Sequence, residues 1–272
     1  LVIHSRLRER AGFRCSDEVV NRLWEITGRS TLTNFHYYPT DCPHREKNGW
    51  TGDAQLSAEQ TILRFSAENS YREWLKSIRD AQREDGCIPG IVPTGGWGYD
   101  WGNGPGWDSV LTELPYMVYR YRGDTKILEE NAEAIDRYLT YLAQKRTDGL
   151  LAFGLADWCS PKRPAHEPKC PLVVSDTLLS MDICTKAAHI FRVLGQRERQ
   201  ERAAGLREEL RRDKLIDLDS CRVEGSCQAS QAMALYYGAF DVTEEERAFA
   251  VLLELIVPHL RNAQAASAHA AP

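Results

Sequence analysis

Between Asp41 and Asp53 the chain sets three carboxylates (Asp41, Glu46, Asp53), one guanidinium (Arg45), one indole (Trp50) and two glycines within thirteen residues that hold almost no aliphatic side chain. Carboxylates this close suit general acid–base chemistry, in which one carboxyl keeps its proton while others stay ionised. A glutamate flanked by two aspartates feels like charges that raise its pKa, so Glu46 is the residue expected to hold a proton near neutrality. Arg45 opposes that effect and can fork onto hydroxyl groups. A plainer reading competes with this one. Asp41 could simply shape a turn ahead of Pro43, and Asp53 could cap the helix that follows.

A second stretch points the same way. Residues 85–106 alternate Gly and Pro with Trp97, Tyr99 and Trp101. A loop this long within a domain is usually functional or disordered, and three large aromatic rings are costly to leave in water. Rings spaced by glycines offer flat apolar faces next to exposed backbone, which suits a sugar. The alternative is that the loop packs its aromatics onto the domain. Two further acid–aromatic pairs follow, Trp107-Asp108 and Asp157-Trp158.

The segment Asp41-Cys-Pro-His-Arg-Glu-Lys-Asn-Gly-Trp-Thr-Gly-Asp-Ala-Gln55 resembles the signature of the bacterial and fungal α-L-rhamnosidases with a six-hairpin catalytic domain, and the likeness extends more loosely from His4 to about Ile256. The resemblance implies an all-α fold, an (α/α)6 toroid, and hydrolysis of terminal α-L-rhamnosyl groups with inversion. It assigns Glu46 the role of general acid and sets Asp41 and Asp53 on sugar hydroxyls. Trp50, Trp107 and Trp158 become the apolar wall that receives a 6-deoxy sugar, with Trp101 beside them. Asp108 and Asp157 become candidate hydroxyl acceptors, with purely structural roles as the alternative. The general base of such enzymes lies late in the barrel, in a Thr-Thr-x-Trp-Glu-like segment, and nothing here matches it. Glu224 and Glu254 are present, but no motif makes either one the base.

Helices must position these groups. Ser16 or Asp17 can cap a first helix with Val20, Leu23, Trp24 and Thr27 at helical spacing, ended by Gly28. Ala54, Leu56, Ala58, Ile62, Leu63 and Phe65 suggest a second. Tyr71, Trp74, Leu75 and Ile78 form one face of a third, over 68–84. Trp107 opens a fourth, with Leu111, Leu114, Val118 and Tyr121 inward and a kink expected at Pro115. Residues 125–143 give the clearest period, through Leu128, Ala132, Ile135, Leu139 and Leu142. Asp148-Gly149 makes a turn and 159–174 a surface loop. Further helices are expected at 175–194, 197–212, 227–239 and 244–257, the third from last carrying Glu198/Arg202 and Glu208/Arg212 pairs and the last opened by a Thr243…Glu246 capping box. That makes about nine helices and no convincing strand, where a complete toroid has twelve.

Composition narrows the rest. The 272 residues, 43% hydrophobic and 27% charged, suit one or two globular domains with a sizeable core. Residues 1–14 read as a linker or the end of a preceding domain, 15–257 as a partial toroid domain, and 258–272 as a disordered tail. A net charge of −5 gives no broad attraction to nucleic acid or to an anionic membrane surface. The chain opens Leu-Val-Ile-His without a Met or an apolar leader, and is expected to be part of something longer. Eight dispersed cysteines without Cys-x-x-Cys or paired His spacing argue for thiols over disulfides and against a metal; no cofactor is implied. Cys184 falls among apolar helical positions and is expected in the core. Two other functions stay open: a degenerate carbohydrate-binding helical domain without catalysis, and another toroid glycosidase or lyase.

Overall fold

A computed structural model describes residues 5–155, 158–164, 167–210 and 212–268, with side chains described as far as Val257. Helices dominate: α1 Glu18–Thr33, α2 Thr51–Arg64, α3 Glu68–Asp80, the single turn α4 Pro105–Asp108, α5 Val110–Arg122, α6 Lys126–Lys145, α7 Leu172–Val193, α8 Arg197–Glu209, α9 Gln228–Tyr236 and α10 Val242–Ala268. Among the described residues the only sheets are two hairpins of two-residue strands, β1 Phe35–His36 with β2 Tyr38–Pro39, and β3 Ile216–Asp217 with β4 Arg222–Val223. Both fall where the sequence suggests no strand, since two residues carry no readable alternation.

The helices form two layers. In the first, α2 packs on α5, α5 on α7 and α7 on α9; in the second, α3 packs on α6 and α6 on α8. The two layers also touch each other, α5 against α6 and α7 against α8. An arc of paired helices results, as expected for part of an all-α toroid. The apolar faces read from the sequence supply the core: Tyr71, Trp74, Leu75 and Ile78 of α3 are fully buried, as are Leu128 and Ile135 of α6, and Cys184 of α7. Asp148 and Gly149 both take positive φ and close a tight turn in which Thr147 and Leu150 exchange backbone hydrogen bonds.

Several boundaries differ from expectation. Asp17 does cap α1, accepting from Val19 N at 2.8 Å, but the helix runs through Gly28 to Thr33. Gly28 is buried there because the Arg64 guanidinium fills the space a side chain would need, and that guanidinium lies over the Trp24 ring at 4.5 Å. Val20 and Leu23 of α1 stay exposed, as do Leu56 and Leu63 of α2, whose buried side keeps the expected Ala54, Ala58 and Ile62 and adds Thr51 and Thr61. Arg202 pairs with Asp136 of α6, and Arg212 with Asp241 and Glu244, so these two arginines reach other elements instead of Glu198 and Glu208. Glu244 accepts from Asp241 N at 2.8 Å, starting α10 two residues before the expected box. The backbone of α10 continues to Ala268, past the expected end at 257.

Two buried carboxyls fix the loops at one end of the arc. Asp108 accepts from Gly104 N (3.1 Å) and from the Tyr138 hydroxyl (2.9 Å), and Asp176 of α7 accepts from Phe153 N (2.6 Å). Between them the loops cross at Gly104 and Gly154, both at positive φ. A Cβ on Gly104 would meet Phe153 O at 2.4 Å, so only glycine allows the crossing. Burial pushes the Asp176 carboxyl up to about 8, against the hydrogen bond from Phe153 N, which favours the ionised form. Burial likewise holds Asp108 well above the carboxylate range.

The sign of the linkage follows. An unfolded Asp titrates near 4, so between about pH 4 and 8 the folded state holds a proton at Asp176 that the unfolded state has lost. Stability from this group is therefore full below pH 4 and declines as pH rises through 8. In Asp176→Asn, which keeps an acceptor for Phe153 N, the free energy of unfolding should gain on the parent by up to ~1.4 kcal/mol per pH unit across that window. Urea unfolding at a series of pH values measures it. A difference between the two proteins that does not change with pH would show that Asp176 stays ionised.

Candidate active site

The signature loop is held from both sides. Asp41 N donates to Asn48 O (3.2 Å) and Asn48 N to Asp41 Oδ1 (2.9 Å), so Asp41 closes its own loop. The far end clamps onto residues 90–92, where Thr51 N donates to Gly90 O and Val92 N to Gly49 O, each at 2.9 Å. Beneath, Tyr38 stacks on Trp74, centroids 5.9 Å apart, and the Trp74 indole donates to Val92 O. Trp50, only 8% exposed, is the hub. Its ring meets Trp97, Trp101 and Trp107 at centroid distances of 6.1, 5.7 and 6.4 Å, while Trp97 and Trp101 stack on each other at 5.0 Å. Trp107 lies against the first turn of α2 because residue 52 is glycine; a Cβ there would come within 2.7 Å of the Trp107 ring nitrogen.

These residues enclose a cavity of about 240 Å³ lined by Asp41, Glu46, Trp50, Asp53, Trp97, Trp101, Trp107, Leu155 and Trp158. Its carboxyls and Trp50 come from residues 41–53, and the rest of its apolar lining from the aromatic loop, α4 and the segment around Trp158. Glu46 is exposed and accepts a 2.8 Å hydrogen bond at Oε2 from the Trp50 indole N–H, which fixes the carboxyl against the wall. Cys42 donates its S–H to Asp41 Oδ2 (2.9 Å) and accepts from Glu46 N (3.1 Å), linking the two acids through one thiol. The carboxyl held above its usual range is Asp53. Although solvent reaches it, the surrounding walls strip water from its charged form, and the charges of Asp41 and then Glu46 add to that.

Seven of the ten residues singled out in the sequence meet here: Asp41, Glu46, Trp50, Asp53, Trp101, Trp107 and Trp158. Arg45 is exposed and does not line the cavity, although its neighbour Glu46 does. Asp108 is fully buried and does not line the cavity; its bonds to Gly104 and Tyr138 make it a brace for the loop. Trp107 belongs to the single turn α4 and not to the start of the long helix. Asp157 lies outside the described residues. Asp53 is the third residue of α2 and Trp50 its cap, so the capping alternative fails for Asp53.

Trp97 and Leu155 join the lining without having been assigned to it. Trp97 stood in the aromatic loop beside Trp101, and the sequence offered no way to separate either from Tyr99. The structure does: the Tyr99 hydroxyl donates to Ala81 O at 2.6 Å and its ring lies under the Arg83 guanidinium, so Tyr99 packs on the domain. Leu155 carried no signal. Among the described residues no cluster of His, Cys, Asp and Glu has the arrangement of a metal site, and no helix is long and apolar enough to cross a membrane.

An alpha-L-rhamnosidase of Formosa agariphila is 32% identical to this chain over 171 residues, which cover 59% of the chain and 17% of the relative. One of Streptomyces avermitilis is 32% identical over 161 residues, covering 58% and 15%. The structure of an α-L-rhamnosidase from Dictyoglumus thermophilum superposes with a TM-score of 0.87 at 26% identity, over 95% of this chain and 30% of that one. The Streptomyces avermitilis α-L-rhamnosidase complexed with L-rhamnose shares the fold, with a TM-score of 0.84 at 23% identity over 94% and 24%. The chain thus spans less than a fifth of the length of these curated relatives and less than a third of these solved chains. Residues 8–264 match the family described as the bacterial alpha-L-rhamnosidase 6 hairpin glycosidase domain, and the chain belongs to that family.

Proposed function

We propose that this chain carries the acid-bearing half of an inverting α-L-rhamnosidase site. The observation behind the reading is the division of the cavity lining between three carboxyls, Asp41, Glu46 and Asp53, and an apolar set of five tryptophans with Leu155. A terminal rhamnosyl ring fits that division. Its hydroxyls meet Asp41 and Asp53, and its C6 methyl and C–H faces meet the indoles. Glu46, exposed and anchored by the Trp50 N–H, protonates the glycosidic oxygen as the bond breaks. Arg45 serves hydroxyls outside the cavity.

A water-activating base must stand across the ring, roughly 6.5–9.5 Å from the acid. Among the described residues the cavity offers no carboxylate beyond Asp41, Glu46 and Asp53. Glu254 pairs with Arg222 at 3.0 Å, and Glu224 follows β4; neither lines the cavity. This observation also favours a second reading, a rhamnose-binding domain without turnover of its own.

Binding should depend on the indoles more than on one acid. Trp107→Ala or Trp158→Ala removes stacking area worth roughly 1–3 kcal/mol, against about 1 kcal/mol for one cleft hydrogen bond. Titration calorimetry with L-rhamnose reads this, and unchanged affinity in both variants would place the sugar elsewhere.

Turnover separates the readings. Residues 1–272 alone should hydrolyse an aryl α-L-rhamnoside at or near the background rate; robust turnover abolished by Glu224→Gln or Glu254→Gln would mean that one of them is the base. In a longer chain that supplies a base, Glu46→Gln should cost about 10²–10⁴-fold on substrates with poor leaving groups and less on activated aryl rhamnosides. Equal loss on both would reduce Glu46 to positioning the sugar.

A further inference from the structure

The segment that brings Trp158 to the cavity continues into a second open space. Lys162 and Arg163 follow Trp158 directly, and with Lys169, Ser226 and Gln228 they border a cleft of about 700 Å³. Ser160, only 3% exposed, ties the segment together: its Oγ accepts from Lys169 N at 2.9 Å and its carbonyl from Arg163 N at 3.2 Å. The turn before α9 presses on the same backbone, since a Cβ on Gly225 would sit 2.4 Å from Pro171 Cδ and 3.4 Å from Lys169 O. Arg163 and Lys169 therefore project from backbone that is held in place. Four residues part Lys162 from Trp158, at most ~14 Å of chain.

The charge of this cleft has one sign. Lys162, Arg163 and Lys169 are exposed, none is in an ion pair among the described residues, and no carboxylate lines the space. Glu167 and Glu224, close by in sequence, stay outside it. Cations elsewhere are matched: Arg199 with Glu133, Arg202 with Asp136, Arg212 with Glu244 and Lys214 with Asp148. Three like charges around one concavity raise the local concentration of anions, and a guanidinium grips a carboxylate or sulfate through paired N–H groups. Ser226 and Gln228 add a hydroxyl and an amide, which suit the hydroxyls of the same ligand. A chain of net charge −5 repels long polyanions, so the match is to isolated acid groups on a largely neutral molecule.

We propose, on the strength of the rhamnosyl reading of the cavity, that this cleft is a subsite for an acidic unit of the same substrate. Lys162, Arg163 and Lys169 hold a carboxylate or sulfate ester on a sugar further along the glycan whose terminal rhamnosyl group occupies the cavity. The substrate class is thus an acidic oligosaccharide or polysaccharide and not a neutral glycoside. The two sites bear opposite charge, three carboxyls in the cavity and three cations in the cleft, and they share one stretch of chain. An acidic unit is repelled from the first and drawn to the second, which fixes the direction in which the glycan lies.

Calorimetry at low salt compares L-rhamnose with di- to tetrasaccharides that end in α-L-rhamnose and carry one hexuronic acid, with the methyl esters of those compounds, and with counterparts bearing a sulfate ester on a neutral hexose. At one or more lengths the acid should bind roughly 5- to 50-fold more tightly than its uncharged partner, and the gain should shrink at about 0.5 M NaCl. A gain for the carboxylate alone assigns a uronate, and a gain for the sulfate alone assigns a sulfated sugar. With Lys162→Ala, Arg163→Ala and Lys169→Ala combined, acid and uncharged partner should bind alike; circular dichroism confirms that the helices persist. A hexuronic acid trisaccharide without rhamnose reads the cleft by itself, and should bind the parent weakly and the triple variant not at all. If L-rhamnose fails to bind while this trisaccharide binds, the cavity reading is wrong and the cleft stands. Equal affinity of charged and uncharged compounds at every length, or a gain that survives in the triple variant, overturns the proposal.

Discussion

The cavity depends on the crossing of two backbones. Gly104 and Gly154 approach so closely that a Cβ on either would fall within 2.8 Å of the other's Cα. One strand of the crossing leads into α4 and Trp107, and the other runs toward Leu155 and Trp158. Half of the apolar wall is thus positioned by a contact that tolerates no side chain. Asp108 and Asp176 lock it from below by accepting the N–H groups of Gly104 and Phe153. Buried carboxyls are an unusual choice for such a brace. They satisfy backbone donors that water cannot reach, and an unmet donor there would cost about 1–3 kcal/mol.

The wall and the acids are joined through Trp50. Its indole N–H holds Glu46, and its ring touches three of the other four tryptophans in the cavity. Any shift of the aromatic wall therefore reaches the carboxyl proposed to protonate the leaving group. Cys42, bonded to both Asp41 and Glu46 N, couples the acids in the same way. Preorganisation of this kind lets short hydrogen bonds act on a substrate without first reorganising the loop.

What was legible in the sequence follows from what each residue answers to. The faces of α3 and α6 repeat at helical spacing because one continuous core selects them, and the density of acids in 41–53 stood out because no packing need explains it. Asp108 misled, because an acid beside a tryptophan looks the same in sequence whether it faces a cleft or braces a buried loop. Gly28 looked like a helix end, yet it makes room for Arg64, 36 positions away. The partners of Arg202 and Arg212 were equally hidden, since Asp136 and Glu244 come near them only once the layers pack. Trp97, Tyr99 and Trp101 share one composition and part company through contacts with Ala81 and Arg83 that no local pattern encodes.

The central claim is that the tryptophan wall receives the methyl group of a 6-deoxy sugar while the acids hold its hydroxyls. Calorimetric titration with L-rhamnose and with L-mannose, which differ only by a hydroxyl at C6, tests it most directly. Burying a methyl rather than a hydroxyl against indole is worth about 1–2 kcal/mol, so L-rhamnose should bind roughly 5- to 30-fold more tightly. Equal affinities, or a preference for L-mannose, would contradict the account.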